Sequence, residues 1–161
     1  MSQDIESRVA ALELKIQDLE DREAVRNLRF RYHECINSQE LAQIPDLFTD
    51  DAVLDFDYLG NARGRAELQK FFAKVEGLLS FVKQFMHNHA VRITGDTGTG
   101  YAYLEAKTIS KGEAYFVAAR YDDEYVRQNG EWKFKKMSLT PYFTVPFEEG
   151  WAQEDRFKMG R

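Results

Sequence analysis

Asp122-Asp123-Glu124-Tyr125-Val126-Arg127-Gln128-Asn129-Gly130-Glu131-Trp132-Lys133-Phe134 is the segment from which the architecture of the chain can be worked out. Asn129-Gly130 sits between two runs in which aromatic or branched residues alternate with charged ones. That pattern predicts a hairpin closed by a type I′ turn, because both central residues of such a turn need positive φ. On either side, the same alternation gives strands over 85–94, 100–110, 113–127 and 131–140, separated by Gly95-Asp96-Thr97-Gly98 and Lys111-Gly112. The second half of the chain therefore reads as an antiparallel meander.

The first half reads differently. Leu68, Phe71, Phe72 and Val75 give one buried face to a helix over 65–76, after a turn at Gly60-Asn61-Ala62-Arg63-Gly64 and a strand marked by Val53, Leu54, Phe56 and Tyr58. A short helix is expected over 38–46, started by Ser38 as N-cap and limited by Pro45. Upstream, Ala24, Val25, Leu28 and Tyr32 line an amphipathic helix. Before it Ile5, Val9, Leu12, Ile16 and Leu19 follow a 4, 3, 4, 3 spacing, the a/d alternation of a coiled-coil seam. Helices first and sheet afterwards is an α+β order. The 161 residues, 43% apolar and 14% aromatic, fill one domain over 1–161, with 1–20 as a helical extension through which a homodimer or homotrimer is expected.

A net charge of −5 argues against a phosphate-binding surface, so no nucleic-acid partner is expected. No apolar run reaches the roughly 20 residues of a bilayer span, so no membrane partner is expected either. The opening residues lack the cationic and apolar regions of a signal peptide, which makes the cytoplasm the expected location. The single cysteine, Cys35, reads as a small buried hydrophobe in a reducing compartment. Asp55, Asp57 and Glu105 lie too far from His87 and His89 in sequence to form a compact ligand motif, so neither metal nor cofactor is expected.

Three segments carry a resemblance. They are Tyr32 to Asn37 with Leu47-Phe48-Thr49-Asp50-Asp51-Ala52, the late hairpin quoted above, and Pro146-Phe147-Glu148-Glu149-Gly150-Trp151. In this order and spacing they resemble SnoaL-like proteins of the nuclear transport factor 2-like superfamily, over about Leu19 to Trp151. The similarity is to its dehydratase-like branch, which includes scytalone dehydratase, bile acid 7α-dehydratase and hexachlorocyclohexane dehydrochlorinase. It implies a cone-shaped α+β barrel, a strongly curved, mostly antiparallel sheet wrapped by N-terminal helices around an apolar pocket. Tyr32 matches the tyrosine of the bile acid dehydratase pattern. Asn37 stands where the branch carries the Asp of an Asp-His dyad, Gln84 where the His is expected, and Met137 where the dehydrochlorinase carries Arg.

Tyr32 and Asn37 are five residues apart and so lie near one side of a helix that loosens slightly after Cys35. A phenol suits the binding of a carbonyl or enolate oxygen in a dry cleft, whereas an amide orients without titrating. Proton transfer is then assigned to His87, if a bulge turns it inward, or to Glu105, which alternates with Tyr101 and Tyr103 on one strand face unless Arg92 or Arg120 pairs with it. His33 adjoins Tyr32, points roughly 100° away from it, and is expected to be exposed or capping. Asn37, Gln84, Tyr103, Met137 and Phe56 complete the expected substrate contacts. The expected activity is that of a cofactor-independent lyase or isomerase acting on a hydrophobic oxygenated ring metabolite. The alternatives are a noncatalytic small-molecule-binding protein and an interaction protein that uses the seam and a filled cone.

Overall fold

The computed structural model describes residues 2–152, with side chains from residue 4 onward. A long helix α1 (Ser2–Asn37) leads through a 3-10 segment (Leu41–Leu47) into β1 (Phe48–Asp55). A 3-10 turn (Asp57–Leu59), β2 (Asn61–Arg63) and α2 (Arg65–Leu78) follow. Then come four long strands: β3 (Leu79–Thr94), β4 (Thr97–Ser110), β5 (Glu113–Gln128) and β6 (Glu131–Pro146). They form one six-stranded sheet in the order β2-β1-β6-β5-β4-β3, in which only β1 and β6 run parallel. Register shifts in the β1-β6, β3-β4 and β5-β6 ladders mark bulges, which bend the sheet into a curve. The architecture is the α+β cone that the sequence led us to expect.

The Asn129-Gly130 hairpin closes as expected, with φ of 53° and 81° at its two turn residues. Several boundaries differ from the sequence reading: β3 starts at Leu79 and not at 85, and β4 at Thr97 and not at 100. Ser38 caps nothing, since its N–H still donates to the Glu34 carbonyl at 2.8 Å, and the 3-10 segment begins after Glu40 without a side-chain cap. Phe56 and Tyr58 lie beyond β1, because Asp57 takes a φ of 50° and starts a turn. The segment around Asn61 is a short strand paired with β1. β6 runs through Pro141, which pairs with Ala119 beside the register shift between Ala118 and Ala119, and continues to Pro146.

The concave face of the sheet is covered by α1 and α2, and the core lies between them. Leu68 and Phe72 of α2 and Val25, Tyr32 and Ile36 of α1 are all buried against Leu54, Leu104, Tyr121 and Phe134. The first half of α1 contributes nothing to this core. Ile5, Val9, Leu12, Ile16 and Leu19 are 47–64% exposed. Toward the end of the described chain, Trp151 stacks on Phe116 and Phe143 at ring-centre distances of 5.4 and 5.7 Å.

Candidate functional site

Two concavities meet at Gln84. The first is an apolar cavity of about 320 Å³ inside the cone. Its inner end is formed by Tyr32, Leu104 and Tyr121, which are 1–4% exposed. Its other end, at Leu59, Leu78, Ser110 and Tyr115, reaches the surface. The second is an open groove between the end of α1 and β3, lined by Phe30, His33, Asn37, Gln84 and Phe85 among others. The inward face of β3 supplies Val82 and Gln84 to the cavity, and the concave face of β4 supplies Leu104, Ala106 and Thr108.

Tyr32, Phe56 and Gln84 line the cavity. The Tyr32 ring is packed edge-on against Phe72, Tyr121 and Phe134 at centre distances of 6.0–6.2 Å. Burial first, and then the neighbouring Tyr121, raise its hydroxyl well above the usual phenol range, so it stays a proton donor at any physiological pH. The Tyr121 hydroxyl lies beside Tyr32 and Gln84, and among the described residues it has no well-formed hydrogen bond. Phenol, phenol and carboxamide thus gather at the buried end of an otherwise hydrocarbon-lined space.

Asn37 is placed differently from expectation. Its amide donates to the Gln84 carbonyl at 2.9 Å and accepts from the Gln84 N–H at 2.7 Å. The side chain therefore acts as a short strand segment that ties the end of α1 to β3. It faces the groove, and both halves of its amide are already occupied.

His33 corrects the sequence reading most. It is 5% exposed, and its Nδ1 lies 2.8 Å from the Gln84 side-chain oxygen. With an oxygen facing it, Nδ1 carries the proton, and Nε2, buried and without a hydrogen-bond partner among the described residues, keeps its lone pair. Burial first, and then the charge of Arg29, lower its pKa to about 3. A bulge between Met86 and His89 explains the other histidines. It turns His89 inward, where its Nε2 meets the Tyr125 hydroxyl at 3.0 Å, and leaves His87 exposed on the outer face. His87 and His89, which strict alternation would put on one face, thus lie on opposite faces of the strand. Gly100 allows this packing: a Cβ there would sit 3.2 Å from both the His89 ring and the Tyr125 ring.

Glu105 shares the outer face with His87, 3.5 Å from its ring and 4.0 Å from Lys107, and Arg120 pairs with Asp122 instead. Tyr103 lies on the same outer face, against Tyr101 and Tyr142. None of these side chains lines either concavity. Met137 is fully buried in the core, with its sulfur 3.8 Å from the Arg29 guanidinium.

Arg29 is the residue that sequence reasoning missed. It is fully buried and paired with Asp123, which accepts a second hydrogen bond from Tyr125 at 2.7 Å. Its guanidinium carbon lies 4.3–5.2 Å from the ring centres of Tyr121, Phe134 and Tyr32. Burial opposes the charge, but Asp123 holds Arg29 protonated, while burial pushes the Asp123 carboxyl upward against that pull. Position 29 falls on the same helical stripe as Val25, Tyr32 and Ile36. A cation inside an apolar stripe was the available signal.

No helix among the described residues is long and apolar enough to cross a membrane. A curated relative, an uncharacterized protein of Mycobacterium tuberculosis, is 25% identical over 81% of this chain and 91% of its own length. A solved structure from Novosphingobium aromaticivorans, provisionally described as an aromatic ring hydroxylase, is 28% identical, covers 81% of this chain and 96% of its own, and superposes with a TM-score of 0.74. Two others share the fold at lower identity. One, provisionally described as a scytalone dehydratase of the same organism, has 17% identity, coverage of 91% and 98%, and a TM-score of 0.78. The other, a type 2 hexachlorocyclohexane dehydrochlorinase, has 18% identity, coverage of 87% and 98%, and a TM-score of 0.79. The SnoaL-like domain matches residues 17–138, from the middle of α1 to the middle of β6, and the chain belongs to that family.

Proposed function

We propose that the protein binds a hydrophobic, oxygenated ring compound in the cone, with the ligand oxygen held by Tyr32, Tyr121 and the Gln84 amide. The observation that carries this reading is the lining of the cavity. Among the described residues it contains no Asp, Glu, His, Lys or Arg, yet its buried end gathers two phenols and one carboxamide. Such a site donates hydrogen bonds to an oxygen and desolvates the rest of the ring. It lacks a group that takes up a proton near neutral pH, because His33 stands behind Gln84 and titrates near 3.

A cofactor-independent lyase or isomerase is the second reading, favoured by the buried Tyr121 hydroxyl. Two phenols that donate to one carbonyl oxygen would stabilise an enolate, and the base would have to come from the substrate or from water. Fold kinship with a dehydrochlorinase supports this reading without deciding it. We place the protein in the cytoplasm, in keeping with its one buried, unpaired cysteine.

The test is a calorimetric titration with 2-naphthol, 2-tetralone and naphthalene, each followed by mass spectrometry for turnover. The oxygenated compounds should bind on the order of tenfold more tightly than the hydrocarbon, the worth of one hydrogen bond to a buried donor. Equal affinity for all three would refute the polar end of the site. Conversion of the ring ketone would move the lyase or isomerase reading ahead.

A further inference from the structure

The first half of α1 stands clear of the body, and its charge pattern is as regular as its apolar one. Residues 4–17 are all exposed, and the helix first meets the body firmly at Asp21, which accepts hydrogen bonds from the Trp132 indole at 3.1 Å and from Arg127 at 2.9 Å. With Val9 and Ile16 at heptad position a, and Ile5, Leu12 and Leu19 at d, Asp21 falls at f, on the opposite side of the helix. The seam therefore points away from the domain that anchors it. The e positions are Glu6, Glu13 and Glu20, and the g positions are Arg8, Lys15 and Arg22.

The geometry points to a parallel two-stranded coiled coil with a second copy of this chain, formed along Ile5, Val9, Leu12, Ile16 and Leu19. Orientation follows from charge. In a parallel pair each g side chain faces the e position of the next heptad on the other helix, so Arg8 meets Glu13 and Lys15 meets Glu20 of the second copy, on both flanks. In an antiparallel pair e faces e and g faces g, which sets acid against acid and base against base. Strand number follows from shape: β-branched Val9 and Ile16 at a, with Leu12 and Leu19 at two of the three d positions and Ile5 as the exception at the end of the seam, favour two strands over three. The seam spans little more than two heptads, too short for an isolated peptide to nucleate. Here nucleation is already achieved, because the same helix continues without a break into its packed half at Val25, Arg29 and Tyr32.

Sedimentation velocity on the full chain should give about twice the 18.8 kDa chain mass. Leu12→Glu with Ile16→Glu should give a monomer that still unfolds cooperatively, because neither residue touches the core, with a thermal midpoint lowered only by the loss of association. For orientation, Ile5→Cys should form an interchain disulfide on mild oxidation while the parent, whose Cys35 is buried, does not. Arg8→Glu with Lys15→Glu, and separately Glu13→Lys with Glu20→Lys, should each weaken self-association on the order of tenfold or more at low salt, and an equimolar mixture should restore a mixed dimer. A monomeric parent, a trimeric mass, a dimer that survives the Leu12 and Ile16 changes, or failure of the Ile5→Cys variant to cross-link would each overturn the proposal.

Discussion

Tyr32 and His33 are adjacent on one helix, yet they do different work. Tyr32 turns its hydroxyl into the cavity, whereas His33 packs between α1 and the sheet and engages Gln84 from behind. Tyr32→Phe removes one donor and almost no volume, so it should weaken 2-naphthol binding by about tenfold and leave naphthalene binding unchanged; an equal loss for both would mean that the ring, and not the hydroxyl, matters. His33 gives a pH signature. Its pKa falls from 6.5 in the unfolded chain to about 3 in the folded one, so below pH 6.5 the unfolded state binds the extra proton. Its contribution is complete above pH 6.5 and is lost as the pH falls toward 3, at up to about 1.4 kcal/mol per pH unit. His33→Gln should flatten the fall of unfolding free energy between pH 6.5 and about 4, measured by urea titration at each pH; an unchanged slope would place the acid sensitivity elsewhere, His89 being the next candidate.

Among the elements, α1 is one rod with two faces and two environments. Its packed half is fixed by the Arg29–Asp123 pair, so Arg29→Met, which strands a buried carboxylate, should cost about 3–5 kcal/mol in urea unfolding. Adding Asp123→Leu to that variant should recover most of the loss; no recovery would mean that the ring contacts of Arg29 carry its stability. Much of the fold was legible because hairpin chemistry is local: Asn129-Gly130 and Lys111-Gly112 close their turns with positive φ, as their sequence requires. The helix expected over 65–76 was equally plain, since Leu68 and Phe72 repeat at helical spacing, and it runs two residues further, to Leu78. The site was less legible because a bulge cannot be read from alternation. One extra residue at 87–88 sends His87 outward and His89 inward, and with them the assignment of Glu105. Arg29 escaped notice because a lone cation on an apolar stripe resembles a surface residue until Asp123, distant in sequence, arrives beside it.

For the molecule as a whole, helices on the concave face of a bent sheet leave a space that aromatic side chains narrow without closing. That space, and not the open groove beyond Asn37, is where we place the ligand. Ala106 lies on its wall and is 2% exposed. Ala106→Phe projects a ring into the cavity, at a cost of about 1–3 kcal/mol if neighbours must shift. The deciding measurement is calorimetric titration of 2-naphthol into the parent chain and into this variant, with folding checked by the thermal transition. Saturable binding to the parent is predicted, together with its loss in a variant that still unfolds cooperatively. Undiminished binding with the cavity filled would contradict a ligand site inside the cone.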